Sequence, residues 1–366
     1  MHTVNIIHTS DLHLDCRFSD FSSDKSKTRR HELKLSFERI FDVLKDVDIA
    51  LICGDIIDNN NYLKSTVAFL IDTFKSHPEV IFFICCGNHD GYNSNGMNDI
   101  KNAGLSNVVI FSPKAEYMEL DELKVRIYGM SFGDKYYYNS MIDEFDVIDD
   151  DYINILMLHG ELTNGKKESR YNPIMIDKIK QSGFDYVALG HTHEFSQIQK
   201  AGDTYYAYCG THEGHGFDEC GPKGVLYGKI GKKYCDLKFV KTCLREYNKI
   251  EIDVTNYRSF DEIASVVYNC VNSNDMFLVT FKGILDENIF LDLDILSNIV
   301  SCYLIKFVDR TRRNYNLDEL AKSRNFKGYI AKNVLQMLES DSDSEINVVF
   351  DASDYLFQLM DNGGAK

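Results

Sequence analysis

No stretch of this 366-residue sequence approaches the ~18–20 uninterrupted apolar residues of a membrane span. Its opening, MHTVNIIHTSDLHLD, has no basic n-region and reaches Asp11 too soon for a signal peptide. The ten cysteines include no Cys-x-x-Cys pair, and Cys85–Cys86 are neighbours in an apolar run. That pattern argues against a disulfide scaffold and for reduced, mostly buried thiols in a cytoplasmic protein. Positive charge is also short: 40 Lys and Arg face 56 Asp and Glu, for a net charge of −16. The deficit is shared, with 36 acids and 28 bases in residues 1–245 and 20 acids and 12 bases in residues 246–366. A protein that coats nucleic acid by bulk electrostatics is therefore disfavoured. An enzyme holding divalent cations is not, because such ions bring local positive charge that the count omits.

The length suggests about two domains, and 44% hydrophobic with 26% charged residues is ordinary for a globular chain. Through residue 245, short apolar runs recur at Val4–His8, Ile49–Cys53, Val80–Cys86, Val125–Met130, Ile153–Leu158, Tyr186–Leu189 and Tyr205–Cys209. Helical periodicity fills several gaps, at Ser36–Lys45, Tyr62–Phe74 and Pro173–Gln181. Alternating strands and helices predict an α/β layered core with parallel pairing, whose chemistry sits beyond the carboxyl ends of the strands. From about Tyr247 a β-α-β-α-β unit is expected to form a small second domain, 246–310. Asp309–Asn316 reads as a basic connector into a C-terminal segment 311–366, where Asn325–Leu338 and Ala352–Met360 read as amphipathic helices and Glu339–Glu345 as a solvated acidic tract.

The polar clusters fall at strand ends. Asp11-Leu12-His13 follows the first run, Gly54-Asp55-Ile56-Ile57-Asp58 the second, and Gly87-Asn88-His89-Asp90 the third. His159-Gly160-Glu161 and Gly190-His191-Thr192-His193 follow two later runs. Each cluster alone reads as a turn or a helix cap, since Gly, Asn and Asp favour turns. Five in one chain, all at strand ends, point to a shared site. Imidazole, carboxylate and amide oxygen without thiolate suit manganese, iron or zinc. Two ions ~3.5–4 Å apart clamp the attacking and leaving oxygens of a phosphate ester and lower the pKa of a shared water.

In this order, DLH, GDxxD, GNHD, a lone strand-end His and GHxH resemble the blocks of the calcineurin-like metallophosphoesterases, over about residues 1–240. The resemblance implies a four-layer αββα sandwich, here with a small α+β capping domain and a short helical C-terminal tail. It implies that Asp11, His13, Asp55 and His193 hold one divalent ion, and Asp55, Asn88, His159 and His191 a second. Mn²⁺ is the expected metal, with Fe²⁺ or Zn²⁺ as alternatives. His89 would face the scissile phosphate as an acid, oriented by Asp90.

Asn59 follows GDIID where protein phosphatases carry Arg-Gly, and Asp90 stands where they carry Glu. The blocks ILMLHG and VALGHTH, the stretch Tyr208–Val225 and the later DRTRRNY look like those of SbcD-type DNA repair exonucleases of the Bacillus type. That branch implies DNA as substrate, an SbcC-like coiled-coil ATPase as partner, and pairing of two copies through a segment such as Leu63–Phe74. Phosphate contacts are expected from Arg17, the Lys25–Arg30 cluster including Arg30, Lys166, Lys167 and Arg170. His212 and His215 read as partly exposed loop residues, with an accessory metal or phosphate contact as the alternative. Two further functions compete: a phosphodiesterase for cyclic nucleotides or another small diester, and a non-catalytic scaffold that binds DNA or a partner.

Overall fold

A computed structural model describes residues 2–366 apart from 20, 59–61, 149, 164–168, 287–288, 314, 341–348, 350–351, 354, 358 and 361–366. The acidic tract beyond 340, Asn59, Lys166 and Lys167 thus lie outside the described residues. The chain divides into two units, Met1–Glu246 and Tyr247–Lys366. Among the described residues no helix is long and apolar enough to cross a membrane.

The first unit begins β1 (Thr3–Thr9), α1 (Ser23–Val43), β2 (Ile49–Cys53), α2 (Lys64–Ser76), β3 (Ile81–Cys85) and α3 (Asn95–Asn102). It continues with β4 (Val108–Ile110), β5 (Glu116–Leu120), β6 (Val125–Gly129), β7 (Ile153–His159), β8 (Glu161–Thr163), β9 (Pro173–Met175) and α4 (Ile176–Gln181). Then come β10 (Tyr186–Gly190), β11 (Gln199–Ala201), β12 (Thr204–Tyr208), β13 (Gly224–Gly231) and β14 (Tyr234–Lys241).

Two six-stranded sheets result, ordered β14-β13-β1-β2-β3-β4 and β11-β12-β10-β7-β6-β5. The inner strands β1, β2 and β3 pair in parallel, as do β6, β7, β10 and β12. Antiparallel strands close both edges of the second sheet and one edge of the first. Three apolar layers separate the elements. Leu33, Phe37, Ile40 and Phe41 of α1 and Val67, Leu70 and Phe74 of α2 cover one face of the first sheet. Val4, Ile6, Leu51, Phe83, Ile155 and Ala188 fill the space between the sheets. Leu156, Leu158, Val187 and Leu189 pack outward with Ile179 of α4. The buried parallel strands are apolar on both faces, as sheets covered on both sides require. This is the αββα layering, a mixed α/β fold.

Two elements differ from the sequence reading. The helix expected from Pro173 starts only at Ile176, because Pro173–Met175 pair with Glu161–Thr163 as a short parallel ladder. α1 begins at Ser23, well before the expected Ser36. Its charged first half is held because Arg29 is fully buried between Glu32 and Glu213.

The second unit holds β15 (Tyr247–Asp253), α5 (Phe260–Cys270), β16 (Met276–Leu285), α6 (Leu293–Ile299) and β17 (Leu304–Arg313), followed by α7 (Leu317–Leu320) and α8 (Phe326–Ser340). Its three strands are all parallel, with β16 in the middle, and Ile252, Ile263, Val267, Val279, Phe281 and Leu296 form its core. The stretch read as a basic connector is the end of a strand. Thr311–Arg313 continue the ladder to Gly283–Leu285, and on an edge strand the arginines find room without breaking it.

Candidate metal centre

The carboxyl ends of β1, β2 and β3 in one sheet and of β7 and β10 in the other open at the same end of the sandwich. The chain then continues the pairing past the strands. The backbone N–H of Asp11 donates to the Gly54 carbonyl at 2.9 Å, and that of His13 to the Asp55 carbonyl at 3.0 Å. Side chains alternate along this segment as along a strand. Leu12 and Leu14 point into the helix-side core, while Asp11 and His13 turn toward the cup. The ligand-bearing loops have an unusual backbone. Asp11 (φ 52°), His13 (φ 41°), Asp55 (φ 53°) and His191 (φ 103°) all have positive φ. Such conformations cost of order 1–3 kcal/mol each and persist only where the surroundings enforce them.

Glycines let the two sheets meet. A Cβ on Gly190 would lie 1.8 Å from the Cys53 carbonyl oxygen, and one on Gly54 2.5 Å from His159 Nδ1. No side chain larger than hydrogen fits either position.

Asp55 stands centrally. Its Oδ2 lies 3.4 Å from His159 Nε2 and 3.8 Å from His13 Nε2, and its Oδ1 accepts the His89 backbone N–H at 2.8 Å. Asp11 Oδ1 lies 3.7 Å from His193 Nε2, and Asp11 Oδ2 accepts the His191 backbone N–H at 3.0 Å. Asn88 Oδ1 is 3.0 Å from His159 Nε2. The ring centroids of His159 and His191 are 5.2 Å apart, those of His13 and His193 5.1 Å. The structure therefore brings Asp11, His13, Asp55, Asn88, His159, His191 and His193 into one cup.

Three of these histidines share an arrangement. Nδ1 of His159 sits 2.9 Å from the Cys53 carbonyl, Nδ1 of His13 2.9 Å from Asp58, and Nδ1 of His193 2.5 Å from Glu219. Each acceptor fixes the Nδ1–H tautomer and turns the lone pair of Nε2 toward the carboxylates, the usual way a metal-bound imidazole is held. His13 Nε2 is buried and has no hydrogen-bond partner. A buried, unpaired acceptor facing two carboxylates is costly without a cation. The residues present fit a divalent metal centre with nitrogen and oxygen ligands.

The electrostatics follow from the same contacts. Burial pushes the Asp55 carboxyl up, but the surrounding His159, His13 and His89 rings outweigh it and hold Asp55 well below the usual carboxylate range. His159 shifts up in turn, with Asp55 overcoming the burial of its ring. Burial and the charge of His159 push His191 down to about 4, which keeps that ring neutral.

His89 sits at the rim, its side chain half exposed, with Nδ1 3.1 Å from Asp58 Oδ1. The sequence reading had Asp90 orient it, and the structure corrects this. The Asp90 carboxylate is wholly buried and accepts backbone N–H groups of Asp55 at 3.2 Å, Ile56 at 2.6 Å and Gly87 at 2.7 Å. Asp90 pins two ligand loops together, and Asp58 holds both His89 and His13. Burial and the nearby Asp55 charge push Asp90 up to about 6. Asp58 closes the GDIID block, and its place in that block was the available signal. Glu219 lies in the Tyr208–Val225 stretch and accepts from both His193 and His215. His215 is nearly buried, 5.5 Å from the His13 ring, and His212 is fully buried with Nε2 2.9 Å from the Leu33 carbonyl. His212 is therefore not the partly exposed loop residue expected, whereas His215 keeps a small exposed surface.

The expected phosphate contacts scatter. Arg17 is exposed four residues beyond His13, and Arg30 is half-buried with its guanidinium 3.5 Å from the Arg17 carbonyl. Arg29, inside the Lys25–Arg30 cluster, is buried in ion pairs and out of reach of any phosphate. Arg170 is exposed and lies over the Tyr136 ring.

Comparison with known proteins agrees with this geometry. The chain matches the calcineurin-like phosphoesterase family over residues 4–195. It is 24% identical over 273 residues to the uncharacterized metallophosphoesterase YhaO of Bacillus subtilis (strain 168), covering 72% of this chain and 66% of that protein. The crystal structure of TT1561 of Thermus thermophilus aligns with 66% of this chain and 99% of that one, at 10% identity and a TM-score of 0.39, too loosely to bear on function. With the family match spanning more than half of the sequence and the five ligand segments converging at the strand ends, the chain belongs to the calcineurin-like phosphoesterases.

Proposed function

We propose that the chain is a two-metal phosphodiesterase that cleaves DNA, as the exonuclease or endonuclease subunit of an SbcCD-like repair complex in the cytoplasm. The observation that carries the hydrolase reading is the position of Asp55, within 4 Å of histidines from two different sheets. Asp11, His13, Asp55 and His193 would hold one ion, and Asp55, Asn88, His159 and His191 the other, with Mn²⁺ as the expected metal. Bound ions would supply Lewis acidity at the phosphoryl oxygens and lower the pKa of a water. The protein supplies the rest. Nδ1 of His89 is tied to Asp58, which raises the pKa of the ring and leaves Nε2 to give a proton to the leaving oxygen. The rigid sheets hold the ligands in place before substrate arrives.

DNA as substrate and the SbcC-like ATPase as partner are supported by the blocks Ile155–Gly160, Val187–His193 and Tyr208–Val225 and by the second unit, whose proposed role is to cap the active site and select ends. The low positive charge predicts weak, salt-sensitive DNA binding by the isolated chain. The test is digestion of linear duplex and single-stranded DNA beside small diesters, with Mn²⁺ and with EDTA. Metal-dependent DNA cleavage supports the proposal. Turnover of small diesters alone moves the function to a small-molecule phosphodiesterase. Deleting 247–366 should spare a small diester while changing DNA cleavage, and unchanged DNA cleavage would end the capping role.

A further inference from the structure

We propose that Tyr171, Tyr136 and Tyr138, with the Arg170 guanidinium, form a stacking track for unpaired nucleobases leading out of the metal-ligand cup. The inference rests on the phosphodiesterase reading and deepens it, by placing the strand beside the scissile phosphate.

The track starts at a candidate ligand. The Tyr171 ring centroid lies 5.1 Å from that of His191, tilted by 35°. Tyr136 lies 5.8 Å beyond Tyr171, and Tyr138 6.2 Å beyond Tyr136. Along Lys135–Tyr138 the side chains alternate. Tyr137 turns inward to 6.4 Å from Phe132, while Tyr136 and Tyr138 turn outward, 37% and 64% exposed. One exposed tyrosine is ordinary. A continuous series of rings running from the half-buried His191 imidazole to open solvent is not explained by core packing, because its outer members bury little.

The rings are held at a fixed distance from the cup. The Tyr137 N–H donates to the Arg170 carbonyl at 2.9 Å, and the Asn172 N–H donates to the Tyr137 carbonyl at 2.7 Å. Asn172 is buried with φ 48°, and its side-chain amide donates to the His159 carbonyl at 2.9 Å. Its Oδ1 accepts the Met141 N–H at 2.7 Å. One residue thus ties both ring-bearing segments to the strand end that carries His159. A platform anchored this way loses little entropy when a ligand stacks on it.

The charges suit a nucleic acid. The Arg170 guanidinium lies 5.2 Å from the centre of the Tyr136 ring and the Lys135 ammonium 5.6 Å from the same ring, on a chain that is acidic as a whole. Aromatic faces interleaved with cations are how single strands are held without regard to sequence, the rings taking bases and the cations taking phosphates. A duplex hides its base faces in its own stack, so the track fits unpaired residues at an end.

The test is fluorescence anisotropy on the full chain in EDTA, so that no cleavage intervenes, with a labelled oligothymidylate and an abasic strand of equal length. The track predicts that the base-bearing strand binds at least roughly fivefold more tightly, since stacking on one aromatic ring is worth about that factor or more. Tyr136→Ala/Tyr138→Ala should bring the two affinities together, and Tyr136→Phe/Tyr138→Phe should keep them apart. Circular dichroism checks the fold, and Tyr138→Ala alone replaces the double variant if that one unfolds. Equal affinities in the wild type, no binding of either strand, or a preference that survives the alanines would overturn the track. The phosphodiesterase reading is tested separately by Mn²⁺-dependent hydrolysis of bis(p-nitrophenyl) phosphate, which can succeed while the track fails.

Discussion

Both units of this chain are built around parallel strands joined by helices, and they treat their strand ends differently. In the first unit, Asp11, His13, Asp55 and His191 hold left-handed backbone conformations, and carboxylates such as Asp11, Asp55, Asp90 and Glu219 are buried. In the second, among the described residues, no residue other than Gly283 has positive φ, and only Thr311 and Ser353 are buried polar side chains. The second unit is built the way apolar burial alone would build it. The first carries strained backbone and buried charge, held by Asp58, Asp90, Glu219 and backbone groups around the cup, with His13 Nε2 left without a partner. Parallel strands supply an unstrained frame, and the strain of a reactive site is concentrated at their carboxyl ends.

The largest effect should come from removing the shared carboxylate. Asp55→Ala should strip bound metal, measured by inductively coupled plasma mass spectrometry, and abolish diester hydrolysis. Asp253→Ala at a strand end of the second unit, where the exposed carboxylate merely accepts from Thr255, should change hydrolysis by less than roughly twofold. Similar losses in both variants would erase the contrast between the units.

His89→Ala should lower turnover by roughly 10²–10⁴-fold, the scale of general acid loss, while metal content stays at the wild-type level. Loss of metal together with turnover would move His89 into the ligand set. A smaller effect is expected one contact further out. Glu219→Gln removes the charge behind His193 and should weaken metal affinity by roughly 10–100-fold, read by titration with a competing chelator. Unchanged affinity would reduce Glu219 to a loop contact.

The mildest prediction concerns acid. Burial pushes His8 and His212 down to about 3, below their ordinary value of 6.5. The native state therefore binds fewer protons than the unfolded chain, so this stability is complete above about pH 6.5 and is lost as pH falls toward 3. As pH falls from 7 to 4.5, the urea midpoint of His212→Gln should gain on that of the wild type, because the variant lacks this acid-sensitive loss. An identical slope in the variant would remove His212 as a contributor.

Much of the frame is legible in the sequence, because short apolar runs that end in polar clusters mark buried parallel strands. Val4–His8, Ile49–Cys53 and Tyr186–Leu189 fall within or coincide with β1, β2 and β10. The five clusters stand out for the same reason. The hairpin β13–β14 is less visible, since glycines and lysines interrupt its pattern. The start of α1 is hidden because Arg29 and Glu32 read as surface charges, and their burial depends on Glu213, distant in sequence. The GDIID block marks Asp58 as a site residue, but its contact with His89, distant in sequence, is not written in the block. Adjacency in sequence suggested Asp90, and backbone direction turned its side chain to the amides of Asp55, Ile56 and Gly87.

The most direct measurement is an anomalous-scattering map from crystals grown with Mn²⁺. The account predicts two peaks ~3.5–4 Å apart with Asp55 between them, one beside Asp11, His13 and His193 and the other beside Asn88, His159 and His191. A single peak away from Asp55, or none at saturating metal, would contradict it.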